Sequence, residues 1–170
     1  MPRLIDRLGP AEDHWGVLGA EDALPESGAV IVPLERLPEV LTLALDSGLE
    51  LGVHLPNDTD PATVKPHFGR LSLISVGFPS FSDGRGFSVG RCLRELGYEG
   101  RLRATGPVIS DQFDYLLACG FDEVSVPDSI AERQPPELWA AVPGRITLGY
   151  QRGMAGRGSI LDARRSAGDG

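Results

Sequence analysis

The residues best suited to chemistry lie in one short polar loop, Ser82-Asp83-Gly84-Arg85-Gly86, which precedes a helix-like segment. The two glycines let the backbone come close to a ligand, and the free amides of the following helix can bind an anion. The guanidinium of Arg85 adds a forked hydrogen-bond donor. Binding of a small oxyanion or phosphorylated ligand by Asp83, Gly84, Arg85 and Gly86 is therefore one interpretation. In the other, Asp83 only caps the helix and the glycines only form the turn.

A second group of candidates follows the loop. Arg103 lies in the middle of the strand-like segment 101–105, where a buried charge costs several kcal/mol unless it is paired. We expect its partner to be Asp83 or Asp111, in either an internal ion-pair network or an arginine-lined pocket. Asp111 and Gln112 begin the next helix-like segment, where they can bind polar groups of a substrate or merely offset the helix dipole.

The elements that must position these residues are strands alternating with helices. Apolar or alternating runs predict about six strands separated by helix-like segments, which is typical of an α/β domain with a mostly parallel sheet. The sheet is expected to be either open and doubly wound or an incomplete barrel. Ligands collect at the carboxyl ends of such strands, so Arg85 and Arg103 are expected at one rim of the sheet. The predicted strands are 29–32, 49–55, 71–78, 101–105, 123–126 and 145–150.

The chain has 170 residues, which is enough for one domain with a core. Residues 1–28 are rich in turn residues and are expected to form an irregular arm. The α/β domain is expected to span residues 29–150. Residues 151–170 lack periodicity and are expected to form a flexible tail.

Composition excludes several classes of protein. The net charge of -8 argues against nucleic-acid binding, which depends on clustered lysine and arginine. No long apolar run predicts a membrane-spanning helix or a signal peptide, so we expect a cytoplasmic protein that does not contact membranes.

Metal and redox sites are not predicted either. Cys92 and Cys119 are the only cysteines, too few to hold an iron–sulfur cluster, which usually needs four thiolates. Cys119 is either a redox thiol or a small buried hydrophobe. His14, His54 and His67 lack zinc-ligand spacing, and we expect no metal and no cofactor.

Several of these motifs together resemble a bacterial domain-of-unknown-function family, number 934. Its members are labelled as probable oxidoreductases involved in sulfite reduction. The similarity is strongest between residues 71 and 126, and it rests on Phe78-Pro79, Phe81, Asp83-Gly84-Arg85-Gly86, Gly97-Tyr98, Leu102-Arg103-Ala104, Asp111-Gln112 and Cys119-Gly120-Phe121-Asp122.

The resemblance implies an accessory protein of assimilatory sulfite reduction, working with sulfite reductase in the synthesis of cysteine. With only two cysteines in the chain, the electrons would be carried by the partner's haem and iron–sulfur centres. Two other functions remain open: an independent α/β enzyme or binder of a small oxyanion or phosphorylated ligand, and a structural protein-interaction module. The sequence leaves open whether the chain catalyses a reaction.

Overall fold

A run of parallel strands forms the centre of the computed structural model, which describes residues 3–45 and 47–140. The strands are β1 (Arg3–Asp6), β2 (Gly9–Ala11), β3 (Trp15–Val17), β4 (Ser27–Pro33), β5 (Gly48–Leu55), β6 (Leu73–Gly77), β7 (Arg101–Thr105) and β8 (Glu123–Val126). The α-helices are α1 (Leu37–Leu43), α2 (Arg85–Glu95), α3 (Ser110–Ala118), α4 (Asp128–Ala131) and α5 (Pro136–Ala140). Two 3₁₀ segments, Leu34–Arg36 and Pro61–Arg70, complete the described elements.

The strand order is β2-β1-β8-β7-β6-β5-β4-β3, with β1 antiparallel to both of its neighbours and every other pair parallel. From β4 to β8 each crossover adds the next strand on the same side. Because such crossovers are almost always right-handed, successive steps in one direction put their helices on one face of the sheet. The predicted α/β fold is confirmed, and of the two expected forms the incomplete barrel is the one found.

Residues alternate between the two faces of this sheet. One register row points to the helix-covered convex face and contains the apolar residues Leu55, Val76, Ala104 and Val124. The adjacent row points to the concave face and contains His54, Ser75, Arg103 and Glu123. The concave face is therefore where this domain places polar side chains inside its fold.

The N-terminal segment curls the sheet. Residues 1–28 were expected to form an irregular arm, yet they contribute the three short strands β1, β2 and β3. Eight adjacent strands have seven spacings of about 4.8 Å, so a flat sheet would hold the edge strands β2 and β3 roughly 34 Å apart. Residues 12–14 connect these two strands and, even when fully extended, reach only roughly 14 Å. The two edges must therefore approach each other across the concave side.

The predictions for two helix starts are only partly confirmed. Asp60 followed by Pro61 predicts a capped helix start. The Asp60 side chain does accept a hydrogen bond from the amide of Ala62 at 3.0 Å, but the segment that follows is 3₁₀ rather than α-helical. Serine is a favoured cap residue, so the sequence predicts that Ser110 caps α3; it is instead the first residue of the helix, and Ile109 holds the cap position. The predicted strand 145–150 and the tail 151–170 lie outside the described residues. None of the helices described here has the length and apolar character that a membrane crossing requires.

The packing of α2 on the sheet provides a test at two neighbouring glycines. A methyl group at Gly86 would lie 2.5 Å from the Phe78 ring, whereas one at Gly84 would meet nothing closer than Phe87 at 3.8 Å. We expect Gly86→Ala to lower the free energy of unfolding by about 1–3 kcal/mol, because it overpacks the helix–sheet contact. Gly84→Ala is the control, with an expected effect of about 0.5 kcal/mol. Urea unfolding measures both; equal effects would contradict this packing.

Candidate functional site

A buried ion-pair network occupies the middle of the concave face. Arg103 donates from Nε to Glu123 Oε1 at 2.7 Å, and from Nη1 and Nη2 to the two carboxylate oxygens of Asp13 at 2.8 and 3.0 Å. Arg101 Nη1 lies 3.2 Å from the other oxygen of Glu123. The expectation that Asp83 or Asp111 pairs with Arg103 is therefore wrong. Asp13 holds that position because the connector between β2 and β3 carries it across the concave face.

Because the network is buried at Arg103 and Glu123, losing either of these charged side chains would cost much of the protein's stability. The side chains of Arg103 and Glu123 are 2% and 1% exposed, while that of Asp13 is 28% exposed. Removing one partner from such a pair leaves an uncompensated buried charge, which typically costs about 3–5 kcal/mol. Each nitrogen of the Arg103 guanidinium donates to a carboxylate, so its positive charge is already paired within the network.

A chain of three polar side chains lies beside this network: His54 and Ser75 share the register row of Arg103, and Thr105 lies two residues further along β7. His54 Nδ1 is 3.1 Å from the hydroxyl oxygen of Ser75, and that oxygen is 2.7 Å from the hydroxyl oxygen of Thr105. Gly77 leaves room for the imidazole, because a methyl group at this position would lie 3.3 Å from His54 Nε2. The chain thus fixes the ring through Nδ1 and leaves Nε2 over the glycine.

The half-buried position of His54 determines its charge. Burial lowers the pKa of His54 below its ordinary value, and the nearby carboxylate of Glu35 opposes this effect only in part. The imidazole is therefore neutral at pH 7, with one nitrogen able to donate and the other able to accept a hydrogen bond. This arrangement can orient a polar ligand or exchange a proton with it.

The amino-terminal part of the concave face is apolar instead. Trp15 packs with Ala29, Ile31 and Leu73 in a small buried cluster. A side chain at Gly52 would come within 3.1 Å of both the indole and Ile31, so this glycine makes space for the tryptophan. The interior is filled at this end, which leaves its polar groups nearer the rim where parallel strands usually bind ligands.

The loop at residues 80–86 lies at that rim and is stabilised by an ion pair between two of its own residues, Asp83 and Arg85. Arg85 donates to the Asp83 carboxylate from Nε at 3.1 Å, from Nη2 at 2.7 Å and from its backbone amide at 3.2 Å. These hydrogen bonds from Arg85 hold the pKa of Asp83 far below its ordinary value. Asp83 thus binds the first amide of α2 from one residue before the cap position, which Gly84 occupies, while ligand binding by Asp83, Gly84, Arg85 and Gly86 stays a prediction.

The rim loop is joined to the start of α3. Gln112 Nε2 donates to the carbonyl of Phe81 at 2.7 Å, and its Oε1 accepts from the amide of Ile109 at 3.2 Å. Asp111, the preceding residue, is exposed. The structure therefore brings the predicted loop and the predicted pair Asp111–Gln112 together, whereas Arg103 has no partner in common with Arg85 among the described residues.

Asn57 is a rim residue that the sequence did not single out. It is 8% exposed, and its amide helps to keep the pKa of Asp83 low. Its Nδ2 nevertheless makes no hydrogen bond of regular geometry in the described part of the chain. The loop after β5 thus adjoins the loop after β6, as expected for neighbouring parallel strands.

Cys119 is buried in a way that suppresses thiol reactivity. Cys119 is 2% exposed, and burial raises the pKa of its thiol, which lowers the fraction of nucleophilic thiolate at neutral pH. Cys92 is half-buried, and both cysteines are free. Within residues 3–45 and 47–140, no three His, Cys, Asp or Glu side chains are grouped so that they could hold a metal ion.

The sequence contained a pattern that could have identified His54, Ser75 and Thr105 as residues of the concave face. In β7 the polar residues Arg101, Arg103 and Thr105 alternate with apolar ones, and His54 and Ser75 occupy equivalent positions in their strands. Such alternation indicates a sheet with helices on one face only, since strands covered on both faces are apolar throughout. Asp13 gave no comparable signal, because its role depends on where a connector crosses the fold.

Comparison with known proteins gives one match. Residues 52–161 match the model of a family described as bacterial protein of unknown function, DUF934. Neither a curated protein nor a solved structure matches the chain. The matched region includes β6, α2, β7 and α3, and with them the rim loop and the polar chain of His54, Ser75 and Thr105.

The lowered pKa of His54 predicts how stability depends on pH. The unfolded chain takes up a proton on this histidine near pH 6.5, and the folded chain does so only at lower pH. Stability is therefore lost as pH falls through this window. We expect His54→Gln to lose less free energy of unfolding than the wild type between about pH 7.5 and about pH 5. Urea unfolding at both values tests this, with His67→Gln as the matched control; identical pH dependence in wild type and His54→Gln would contradict it.

Proposed function

Because the chain belongs to the bacterial protein family DUF934, we propose that it is an accessory protein of assimilatory sulfite reduction that works with sulfite reductase. The match of residues 52–161 to this family carries the proposal. The family resemblance described above supplies the process, sulfite reduction, and the partner. The chain's own two cysteines are too few to hold an iron–sulfur cluster, which favours a helper role over a role as an electron carrier.

An exposed aromatic patch supports a function that depends on binding another protein. Phe81 and Tyr115 are 60% and 45% exposed, and the Phe87 ring lies between sheet and solvent with its centroid 4.8 Å from that of Tyr115. The Gln112–Phe81 hydrogen bond holds the loop against α3, one turn before Tyr115. Aromatic side chains are enriched at protein interfaces because they provide a large contact area with few rotatable bonds. We assign this rim aromatic patch, Phe81, Phe87 and Tyr115, as the contact surface for the reductase.

A second candidate function, binding of a small oxyanion, is favoured by the polar chain on the concave face. It does not require the arginines that the sequence singled out, since Arg85 and Arg103 are already paired with carboxylates. The two functions are compatible, because the rim aromatic patch and the concave face are formed by different residues.

Deletion of the gene in its source bacterium tests the proposed process. We expect the deletion strain to grow poorly with sulfite as sole sulfur source and normally with cysteine. Wild-type protein should restore growth, whereas the double variant Phe81→Ser/Tyr115→Ser should not, because it removes most of the exposed apolar area of the patch. Growth rate is the measurement.

Leu43→Ser is the matched control, since Leu43 is 62% exposed but lies on α1, away from the patch. This variant should restore growth fully, and it should co-purify with sulfite reductase as the wild type does. Normal growth of the deletion strain on sulfite would overturn the process. Full rescue by the double patch variant would overturn the assigned contact surface.

A further inference from the structure

We propose that His54 and Thr105 are the two ends of a binding site on the concave face for a small oxyacid, a molecule in which one oxygen carries a proton and another does not. The site lies over Gly77, and Ser75 connects its two ends. This proposal does not depend on a role in sulfite reduction.

Gly77 gives the site its space. This glycine is the register partner of Thr105 on the neighbouring strand, and a methyl group on it would lie 3.3 Å from His54 Nε2. A side chain at residue 77 would therefore crowd the position beside the imidazole and the threonine hydroxyl, where we place the ligand. A small ligand bound there would bridge Nε2 and the Thr105 hydroxyl.

The hydrogen bonds among His54, Ser75 and Thr105 determine whether Nε2 and the Thr105 hydroxyl donate or accept a hydrogen bond. If His54 Nδ1 donates to Ser75, the Ser75 hydroxyl donates to Thr105, and the Thr105 hydroxyl is free to donate outward while Nε2 accepts. If every bond in the chain is reversed, Nε2 donates and the Thr105 oxygen accepts. In both states of the neutral chain one end is a donor and the other an acceptor. An oxyacid with one hydroxyl and one bare oxygen complements either state.

A fully ionised oxyanion needs a different state of the same chain. It has only acceptors, so both ends must donate, and this requires a protonated imidazole. Arg103 cannot supply the positive charge, because its guanidinium is already paired with Asp13 and Glu123. Glu35 is the further carboxylate acting on His54, and it favours the protonated ring. The filled site therefore contains one proton shared between ligand and His54, which arrives either with the ligand or from solvent.

Two inorganic ions, sulfate and phosphate, distinguish a proton that arrives with the ligand from one taken up from solvent. Sulfate carries no proton at neutral pH, so its binding should take up about one proton from solvent. Inorganic phosphate at about pH 8 is mainly the singly protonated dianion, so its binding should take up close to none. Isothermal titration calorimetry of the full chain, repeated in buffers of different ionisation enthalpy, measures both affinity and proton uptake.

Three variants test whether sulfate and phosphate bind at this site. Gly77→Ala should weaken the affinity for both probes at least tenfold, because its methyl group fills the space beside Nε2. Ser75→Ala should abolish the difference in proton uptake between the probes, since it disconnects the two ends. His67→Asn, which removes a histidine from the 3₁₀ segment Pro61–Arg70, is the matched control and should bind like the wild type. Circular dichroism confirms that each variant is folded.

Three results would overturn the proposal: no heat of binding for either probe at tens of millimolar, equal proton uptake for sulfate and phosphate, or unchanged affinity in folded Gly77→Ala. None of them bears on the growth phenotype of the deletion strain. Failure of this site and failure of the role in sulfite reduction are thus distinguishable.

Discussion

The ion pair between Asp13 and Arg103 holds the two ends of this fold together. Asp13 lies on a three-residue connector between the edge strands β2 and β3, and Arg103 lies in the centre of the sheet on β7. The connector is too short for a flat sheet, so the sheet must curl until the connector crosses its concave face. The paired hydrogen bonds at 2.8 and 3.0 Å then fix the connector against the buried arginine. Curvature, concave face and site all follow from this constraint.

The concave interior is divided along the strands as a consequence. Trp15 enters with β3 and fills the amino-terminal end together with Ile31 and Leu73. The network of Arg101, Arg103, Asp13 and Glu123 occupies the middle, where two positive and two negative charges compensate one another. His54 and Thr105 lie near the carboxyl ends of their strands. The fold thus places His54 in a position that is shielded enough to keep it neutral.

The α/β class and the five central strands could be predicted from the sequence, because β4 to β8 carry apolar runs separated by helix-like segments of ordinary length. The rim loop could be predicted as well, since Asp83 and Arg85 lie between a strand and a helix. The partner of Arg103 could not. Asp13 is distant in sequence, and the strands beside it, β2 and β3, are only three residues long and contain glycine or proline. Short edge strands gain their stability from neighbours rather than from local propensity, so their sequence resembles that of a loop.

A double-mutant cycle between Asp13 and Arg103 tests the central claim most directly. Asp13→Asn, Arg103→Met and the double variant would be compared with the wild type by urea unfolding, with the exposed pair Asp83 and Arg85 as a reference cycle. Buried contact between Asp13 and Arg103 predicts a coupling energy of about 1.5–3 kcal/mol, against about 0.2–1 kcal/mol for the reference pair. Additive effects within about 0.3 kcal/mol would show that the connector does not bind Arg103 and would contradict the claim that this ion pair holds the fold together.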